Sequence, residues 1–506
     1  MSENRLRACI ERILKEGYQI EVEAYDLLST MNEEELPRIV EEALKKAEEM
    51  RPKPLTITKE MLKIEAWEAP QHLQISVSTL ERPLAAEYNS RIEVLLDPSN
   101  LIGSGGTLKD FHSYFKDRYR KISKLLMERR DVRDARPLAE ALKMSRNKPV
   151  KSIVMISDKR ERKNRILLRI EDLEGEASAL VSSSDPALYR KAQRLSLDQV
   201  VCLELVRLEN DLLLVRDIIF PSLPERKTVK TDTALSALLI SDLHFGSRTF
   251  LHKEFDRLLR WLRGDLGNSR QRDRAGTIKY IIITGDLVDG VGVYPNQEEE
   301  LEISNIYKQY AEMAKYFELI PDYMEVIVIP GNHDAVRQAL PQPVIPREFA
   351  EPIYELNINV RSLGNPSWIK IEDRTFLLYH GTSFNDVISS VPDLSLENPE
   401  KALRYVIEAR HLVPSFGKST PLAPERMDVL VVDRIPDVVQ SGHIHVAGYE
   451  NYRGTLLISC AAWQAQTEYQ RRMGLTPTIG KAVILSLGSL DMGVLDFTTK
   501  EGIPAA

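Results

Sequence analysis

Four short apolar runs in the second half of the chain constrain its fold most. They occupy residues 237–240, 280–283, 326–329 and 376–378. Each run is continuously apolar, which is typical of strands that are buried on both faces. Segments with helical character separate the runs, at 254–263, 298–319 and 400–411. This alternation predicts an α/β domain with a largely parallel or mixed sheet.

Polar segments of one chemical type accompany these runs. In chain order they are D-x-H at 242–244, G-D-x-x-D at 285–289, G-N-H-D at 331–334, H-G at 380–381 and G-H-x-H at 442–445. Five of the nine histidines lie in these segments. Ligands of such sheets bind beyond the carboxyl ends of the strands. We therefore expect all five segments to meet at one edge of one sheet.

The mixture of side chains is that of a two-metal phosphoesterase centre. Two divalent ions about 3.5 to 4 Å apart clamp the attacking and leaving oxygens of a phosphodiester and lower the pKa of water. Carboxylates suit Mn²⁺ and Mg²⁺, whereas imidazoles also suit Fe²⁺ and Zn²⁺. We expect two divalent ions, with Mn²⁺ preferred. A single Asp or Asn after a strand more often caps a helix than binds a metal. Five such motifs in this order are, however, improbable as a coincidence.

The order of the motifs resembles the calcineurin-like metallophosphoesterase superfamily. Together with an N-terminal helical region and a small β domain in a chain of 506 residues, it resembles the small subunits of archaeal family-D (type II) DNA polymerases. The motifs cover the second half of the chain, and the first half matches in layout. The resemblance implies an α/β multidomain protein with an N-terminal helical domain, an OB-type β-barrel and a C-terminal calcineurin-like β-sandwich flanked by helices.

The resemblance also implies which motif residues bind metal. The first ion would be held by Asp242, His244 and His445. The Asp286 carboxylate would bridge the two ions. The ligand set of the second ion would be completed by Asn332, His380 and His443.

Three neighbouring residues receive other roles from the same resemblance. His333 would face the scissile phosphate and stabilise its charge or protonate the departing oxygen. Asp334 would orient that imidazole through its far ring nitrogen. Asp289 would support the ligands from behind without binding an ion.

The domain boundaries follow from local patterns. Apolar residues recur at helical spacing between 36 and 47, and Thr107 with Asp110 forms a capping box that opens a helix toward Arg130. Five short β segments follow between 153 and 219, with the charged run 158–164 as the turn between the first two. We assign 1–50 to a helical docking domain, 51–148 to a linker and helical segment, 149–225 to the OB-type domain and 235–500 to the phosphoesterase domain.

Charge is unevenly distributed along the chain. The net charge is −7, yet residues 116–169 carry 19 Lys or Arg against 7 Asp or Glu. Two interpretations of this basic segment stay open. It could track a phosphate backbone, or it could be a solvated helix laced with salt bridges.

The composition of the chain indicates the cellular environment to expect for it. No run approaches the roughly 20 apolar residues of a membrane span, and no signal segment opens the chain. Cys9, Cys202 and Cys460 are scattered and are expected to be buried thiols. We expect a soluble cytoplasmic protein without a membrane partner. The four histidines outside the motifs are expected on surfaces or helix ends; they are His72, His112, His252 and His411.

The resemblance implies a 3′-to-5′ exonuclease that proofreads for a DNA-directed DNA polymerase. Synthesis would belong to a large catalytic subunit in a heterodimer, and the substrate would be the single-stranded 3′ end of DNA. Two alternatives stay open at this point: a metallophosphatase acting on monoesters, which uses the same ligands, and an accessory subunit that only scaffolds the polymerase.

Overall fold

The computed structural model describes residues 2–21, 24–25, 28, 36–49, 54, 56–58, 61, 83–208 and 212–499. They fall into two compact units, Met1–Val77 and Ser78–Ala506. In the first unit, helices Ser2–Lys15 and Leu36–Glu49 pack around a small core, and strands β1 (Gln19–Ile20) and β2 (Thr56–Ile57) pair in parallel. Residues 62–82, within the predicted linker, lie outside the described residues.

The second unit contains two large sheets, a barrel and surrounding helices. Its strands are β3 (Ile92–Leu96), β4 (Pro149–Arg162), β5 (Arg165–Glu171), β6 (Glu176–Ser182), β7 (Val200–Arg207), β8 (Leu213–Ile219), β9 (Ser236–Ile240), β10 (Ile278–Thr284), β11 (Glu325–Ile329), β12 (Asn359–Ser362), β13 (Ser367–Ile371), β14 (Arg374–Leu378), β15 (Val438–Ser441), β16 (Gly448–Tyr452), β17 (Thr455–Ser459), β18 (Lys481–Ser486) and β19 (Met492–Asp496). Its α-helices are Leu108–Met127, Leu138–Ala141, Pro186–Gln193, His252–Leu262, Ser269–Ala275, Ile306–Phe317, Arg347–Tyr354, Phe384–Ser390, Pro399–Glu408 and Glu468–Arg472.

The four apolar runs form strands in both large sheets. The first sheet has the order β12-β11-β10-β9-β18-β19, and the second has the order β16-β17-β15-β14-β13-β3. In the first, β12 to β9 run parallel and β18 and β19 are antiparallel. The predicted mixed α/β architecture is confirmed. Of the predicted helix 298–319, only Ile306–Phe317 is α-helical, because a 3-10 turn at Gln297–Glu300 precedes it.

Alternating side chains of each strand enter different layers of the core. In β9, Ala237 and Leu239 face the second sheet, whereas Leu238 and Ile240 face the helices His252–Leu262 and Ile306–Phe317. The opposite face of the second sheet packs on helices Phe384–Ser390 and Pro399–Glu408. The domain is therefore a four-layer sandwich of helices, two sheets and helices. This explains why the strands are apolar throughout, since both faces of each sheet are covered.

Strand β3 joins the second sheet from far away in the sequence. It pairs antiparallel with β13, with Ile369 opposite Val94. The range 51–148 was predicted as linker and helical segment, so this edge strand is a difference from the expectation. Three of its five residues are partly buried and two are exposed, and such a short edge strand carries no distinct apolar pattern. The barrel is consequently inserted between two strands of the sandwich.

The five strands β4 to β8 close into a barrel in the order β4-β5-β6-β8-β7. Four of the predicted β segments lie within one strand each, and the fifth, predicted for 211–219, matches β8 from Leu213 onward. The expected turn at 158–164 is wrong, because β4 continues to Arg162 and pairs there with Arg165. The charged residues lie on a solvent-facing extension of the strand, where charge does not prevent pairing. Chain reversal needs only Lys163 and Asn164.

The long helix Leu108–Met127 begins with the predicted capping box. The Thr107 side chain accepts from the backbone N–H of Asp110, and the Asp110 carboxylate accepts from the backbone N–H of Thr107. Arg118 on this helix is completely buried, and its Nε lies 2.9 Å from Oδ2 of the equally buried Asp428. This ion pair ties the helix to the sandwich. No helix in the described part of the chain combines the length and apolar character that crossing a membrane requires.

At least seven of the 19 Lys and Arg residues in segment 116–169 form ion pairs in the structure. Besides Arg118, the pairs are Lys121 with Asp117, Arg129 with Asp131, Arg136 with Glu140, Lys151 with Asp134, Arg160 with Asp158 and Arg169 with Glu176. These pairs account for only part of the positive charge, so both interpretations of the segment stay open.

Replacing Arg118 by Ala should lower the free energy of unfolding by about 3 to 5 kcal/mol, because the buried Asp428 carboxylate would lose its guanidinium partner. Of its side-chain hydrogen-bond partners it would keep only Tyr114 and His411. Urea denaturation of the full chain measures this change. Arg136→Ala is the matched control, since its pair with Glu140 is exposed and should be worth less than about 1 kcal/mol. Equal effects of the two substitutions would contradict the structural role of Arg118.

Candidate metal centre

The predicted ligands come together, but from two sheets. Asp242, Asp286 and Asn332 follow β9, β10 and β11 of the first sheet, whereas His380 and His443 follow β14 and β15 of the second. The expectation of one edge of one sheet is therefore wrong. Apolar runs show that strands are buried but not which sheet they join. Both sheets present their carboxyl-terminal strand ends at the same side of the sandwich.

The side chains form two ligand groups that share one carboxylate. Asp242, His244, Asp286 and His445 form the first, and Asp286, His380 and His443 form the second. Within each group the ligand atoms lie within 4.8 Å of one another. Asp286 belongs to both groups, as the resemblance implied for the bridging residue.

Asn332 completes the second group. Its Oδ1 lies 3.1 Å from His380 Nε2 and 2.9 Å from His443 Nδ1. His380 Nε2 is also 3.2 Å from Asp286 Oδ2. Ligands that contact a common ion at roughly 2.0 to 2.2 Å are about 3 Å apart. The spacing of these four side chains fits a single cation.

The first group is slightly more open. His244 Nε2 lies 3.0 Å from His445 Nε2, and His445 Nε2 lies 3.4 Å from Asp242 Oδ1. The distance from His244 Nε2 to Asp286 Oδ2 is 3.8 Å. These atoms also point to one place, so the donor set fits a second cation.

Buried negative charge supports the presence of cations. Asp242, Asp286 and Asp289 are 0%, 1% and 0% exposed. In the described part of the chain, the ion pairs found for these three carboxylates are all to histidines and none to Lys or Arg. Burying several carboxylates without a strong cationic partner is costly. Divalent ions would balance this charge.

Burial and neighbouring charges also set the protonation of the imidazoles. Burial lowers the pKa of His244, and it lowers the pKa of His443 to about 3, so both rings are neutral and can offer a lone pair. Burial alone would lower the pKa of His380 as well, but the charges of Asp286 and Asp242 raise it to about 9. This ring therefore holds a positive charge when no other cation balances Asp286.

The far nitrogen of two rings is fixed by an acceptor. His244 Nδ1 donates to Asp289 Oδ1 at 2.9 Å, and His380 Nδ1 donates to the carbonyl of Thr284 at 2.8 Å. Such bonds set the tautomer and leave Nε2 available to a metal. The position of Asp289 behind His244 agrees with the supporting role expected for it.

The role predicted for Asp334 is wrong. His333 Nδ1 instead donates to the carbonyl of Asp289 at 2.6 Å. The Asp334 carboxylate accepts from the backbone N–H groups of Gly331 and Leu287 and from the Tyr310 hydroxyl. Burial and the nearby Asp286 charge raise the pKa of Asp334 to about 6. Asp334 thus braces the two ligand loops, a function that sequence adjacency to His333 does not reveal.

The ligand loops are strained and tightly packed. Asp242, His244, Asp286, His443 and His445 all have a positive φ, between 51° and 71°. Left-handed backbone costs about 1 to 2 kcal/mol for most residues and is concentrated at functional sites. The motif glycines permit the close approach of the loops, since a Cβ at Gly331 would collide with Asp286 and one at Gly442 would collide with Asp242.

Sequence reasoning missed the walls of the cavity beside the metal groups. This cavity has a volume of about 550 Å³. The missed residues include Tyr294, Asn385, Ile388, Tyr469, Gln470 and Met473. Gln470 contacts His445 Nδ1 at 2.8 Å, and Asn385 contacts His443 Nε2 at 3.0 Å. One signal was available, because Thr467 and Gln470 form a capping box that opens helix Glu468–Arg472.

The described histidines outside the motifs do not join the metal groups. His112 is exposed on helix Leu108–Met127, and His252 begins helix His252–Leu262. His411 lies just after the end of helix Pro399–Glu408, one of the two positions expected, but it is buried, and its Nε2 contacts Asp428 at 2.8 Å. His72 lies outside the described residues. All three cysteines are buried and unpaired, as expected.

A sandwich of two mixed sheets between helices, with Asp, Asn and His side chains grouped at the strand ends, agrees with the class that the resemblance to calcineurin-like metallophosphoesterases implied. Residues 237–446 match the family model for the B subunit of DNA polymerase alpha/epsilon. The DNA polymerase II small subunit of Methanothermobacter thermautotrophicus is 35% identical over 493 residues, which cover 97% of this chain and 99% of the relative. That of Archaeoglobus fulgidus is 35% identical over 450 residues, covering 89% and 86%. The chain belongs to the family of archaeal DNA polymerase II small subunits.

A solved archaeal phosphodiesterase is also similar. It is 15% identical, covers 51% of this chain and 98% of its own, and superposes with a TM-score of 0.24. That score is too low to carry an argument, so the class assignment rests on strand order, ligand order and the family match.

Gly331→Ala should weaken Mn²⁺ binding roughly tenfold to a hundredfold, the usual effect of disturbing the support of a metal ligand. The added Cβ has to displace the Asp286 carboxylate. Isothermal titration of the full chain measures the affinity. Gly175→Ala is the control, because a Cβ there meets nothing within 4 Å. Unchanged Mn²⁺ affinity in Gly331→Ala would show that this close approach is irrelevant.

Because both ligand groups use Asp286, substitutions of different ligands should remove different numbers of Mn²⁺ sites. The unaltered chain should bind two Mn²⁺ per molecule. His380→Ala should lose the ion of the second group and keep the other, whereas Asp286→Ala should lose both because both groups use this carboxylate. Titration monitored by electron paramagnetic resonance counts the sites. If Asp286→Ala still binds two ions, the shared-carboxylate interpretation is wrong.

Proposed function

We propose that this chain is the 3′-to-5′ exonuclease subunit of a two-subunit replicative DNA polymerase and removes misincorporated nucleotides from the 3′ end. One observation carries the proposal: two ligand groups share Asp286 beside an imidazole, His333, in a single cavity. Membership of the DNA polymerase II small-subunit family supports a DNA substrate. The ions, for which Mn²⁺ is our choice, would activate water and neutralise the phosphate charge.

His333 is positioned to protonate the leaving group. Its Nδ1–H is committed to the Asp289 carbonyl, so Nε2 is the nitrogen available to substrate. In the protonated ring, Nε2 donates its proton to the departing oxygen. A water molecule gives up one proton to solvent as its oxygen bonds to phosphorus, and the bond from phosphorus to the 3′ oxygen of the penultimate nucleotide breaks. That oxygen takes the His333 proton, and the terminal nucleotide leaves with a 5′ phosphate.

The surroundings of His333 keep the reaction geometry fixed. The backbone N–H of His333 donates to Asp286 Oδ1 at 2.8 Å, which links the imidazole to the shared ligand. Asp334 holds the loops that carry both residues through the N–H groups of Gly331 and Leu287. Positioning of this kind contributes to catalysis because the reacting groups need no further ordering.

The cavity favours a nucleotide over a bare phosphomonoester. Apolar residues line the part of it beyond the ligands, including Ile388, Leu396 and Met473. Such walls would bury a sugar and base but add nothing for a small phosphate ester. A purely scaffolding role leaves the buried carboxylates and strained ligand loops without purpose.

The remaining parts of the chain fit a subunit role. We propose that the closed barrel is of the OB type and that it and the N-terminal helical unit dock a large catalytic subunit, which performs synthesis. Few aromatic side chains lie on the described barrel strands, and aromatic platforms are what such barrels use to hold single strands. This supports protein docking over DNA binding for the barrel.

His333→Ala should reduce mononucleotide release from a 3′-labelled single strand by about 10² to 10⁴, the usual contribution of a general acid. Two Mn²⁺ should still bind, because the ring is not a ligand in the proposal. His112→Ala is the control and should retain full activity, because His112 is exposed on helix Leu108–Met127 and does not line the cavity.

Two outcomes would redirect the proposal. Hydrolysis of p-nitrophenyl phosphate with none of DNA would identify a monoester phosphatase. Inertness toward both, with tight binding to a large polymerase subunit, would identify a scaffold.

A further inference from the structure

The cavity beside the metal groups has an aromatic wall that the hydrolytic chemistry does not use. The rings of Tyr294 and Tyr469 lie 5.1 Å apart between centroids, with an interplanar angle of 31°. Tyr294 is also 6.2 Å from the His333 ring. The wall therefore begins next to the imidazole assigned to the leaving group and extends away from it.

Two features of this wall indicate that it is a binding surface. Tyr469 is 47% exposed and Met473 is 62% exposed, and both line the cavity. Large apolar side chains left together in solvent often mark a binding surface. The Tyr294 hydroxyl is buried yet has no hydrogen-bond partner among the described residues. A buried hydroxyl normally has one, so a bound group would supply it.

The wall is rigidly connected to the metal centre. Tyr469 lies on helix Glu468–Arg472, whose capping box fixes its start. The adjacent Gln470 contacts the metal-group residue His445 at 2.8 Å. A group stacked on Tyr469 is thus held in a set position relative to the ligands, as substrate positioning requires.

A nucleobase matches these features. Its π face stacks on an aromatic ring whatever its identity, and its edge offers acceptors to a hydroxyl. A cavity of about 550 Å³ is within the range that holds one small organic molecule. A base that is still paired with a second strand remains stacked within the duplex, so it could not stack on this wall.

We propose that the Tyr294–Tyr469 wall binds the unpaired base of the 3′-terminal nucleotide, with the base stacked on Tyr469. This inference rests on the proposed exonuclease function and names the feature of the substrate that the site selects. An unpaired end is accepted because its base can swing onto the wall, whereas a paired end must first separate. The selection is for unpaired structure and not for sequence.

Hydrolysis of two 3′ ends by the full chain with Mn²⁺ tests the proposal. One oligonucleotide ends in adenosine, and the other ends in an abasic tetrahydrofuran unit with the same phosphodiester. We expect the adenosine end to be cut with a kcat/KM roughly tenfold higher, since stacking of one base is worth about that factor or more. Tyr469→Ala should lower kcat/KM for adenosine to the abasic value, and Tyr469→Phe should preserve the preference.

Tyr307→Ala is the matched control. Tyr307 is 51% exposed in the same sandwich, stacks on Phe349 and does not line the cavity. Its removal should leave both rates unchanged. The proposal is overturned if both ends are cut equally well, or if Tyr469→Ala slows both ends to the same extent.

A binding measurement separates this inference from the proposed function. The probe is a single strand ending in 2-aminopurine, whose fluorescence is quenched by stacking, with Ca²⁺ replacing Mn²⁺ so that the strand stays intact. The unaltered chain and Tyr307→Ala should quench the probe, and Tyr469→Ala should not. Quenching without any hydrolysis in Mn²⁺ would refute the exonuclease and keep the base site. Absence of quenching by the unaltered chain would refute the base site.

Discussion

The burial of the Asp286 carboxylate is the constraint on which the rest of the site depends. One of its oxygens accepts the backbone N–H of His333, and the other lies 3.2 Å from His380 and 3.8 Å from His244. Burial would raise the pKa of Asp286, but the surrounding imidazoles hold it well below its usual value. The carboxylate is thus ionised in an interior that supplies histidines alone as its ion-pair partners among the described residues. Shared cations would resolve this imbalance, and the two ligand groups, the strained loops and the close-packed glycines are all arranged around Asp286.

The same centre joins the two sheets of the sandwich. Asp286 and Asn332 come from the first sheet, and His380 and His443 come from the second. Gln440 adds a second link, since its Nε2 donates to the carbonyls of both Ile240 and Ile282. Metal binding and the packing of the sheets are therefore coupled. Removing bound ions should loosen the contact between the sheets as well as stop the proposed hydrolysis.

Strands and ligands could be predicted because their signals are local. Continuous apolar runs identified β9, β10, β11 and β14, and ordered polar motifs after strands identified the ligand residues. What could not be predicted depends on contacts distant in sequence. Nothing in the run 376–378 shows that β14 joins a different sheet from β9. The partner of Asp334 is a pair of backbone amides and Tyr310, which no motif encodes.

Two other features escaped prediction for the same reason. The edge strand β3 is recognisable only by its pairing with β13, whose first residue lies more than 250 positions later. Tyr294 and Tyr469 come together only because a loop and the helix Glu468–Arg472, far apart in sequence, line the same cavity. Both tyrosines lie outside the motifs, since stacking on a base needs a flat ring at a given place and no particular neighbours. Residues that hold a metal leave a pattern in sequence, whereas residues that shape a cavity do not.

Anomalous diffraction from crystals of the full chain soaked in Mn²⁺ tests the central claim most directly. The account predicts two manganese peaks roughly 3.5 to 4 Å apart, with the Asp286 carboxylate between them, Asp242, His244 and His445 at one, and Asn332, His380 and His443 at the other. A single peak, or two peaks that Asp286 does not join, would contradict it.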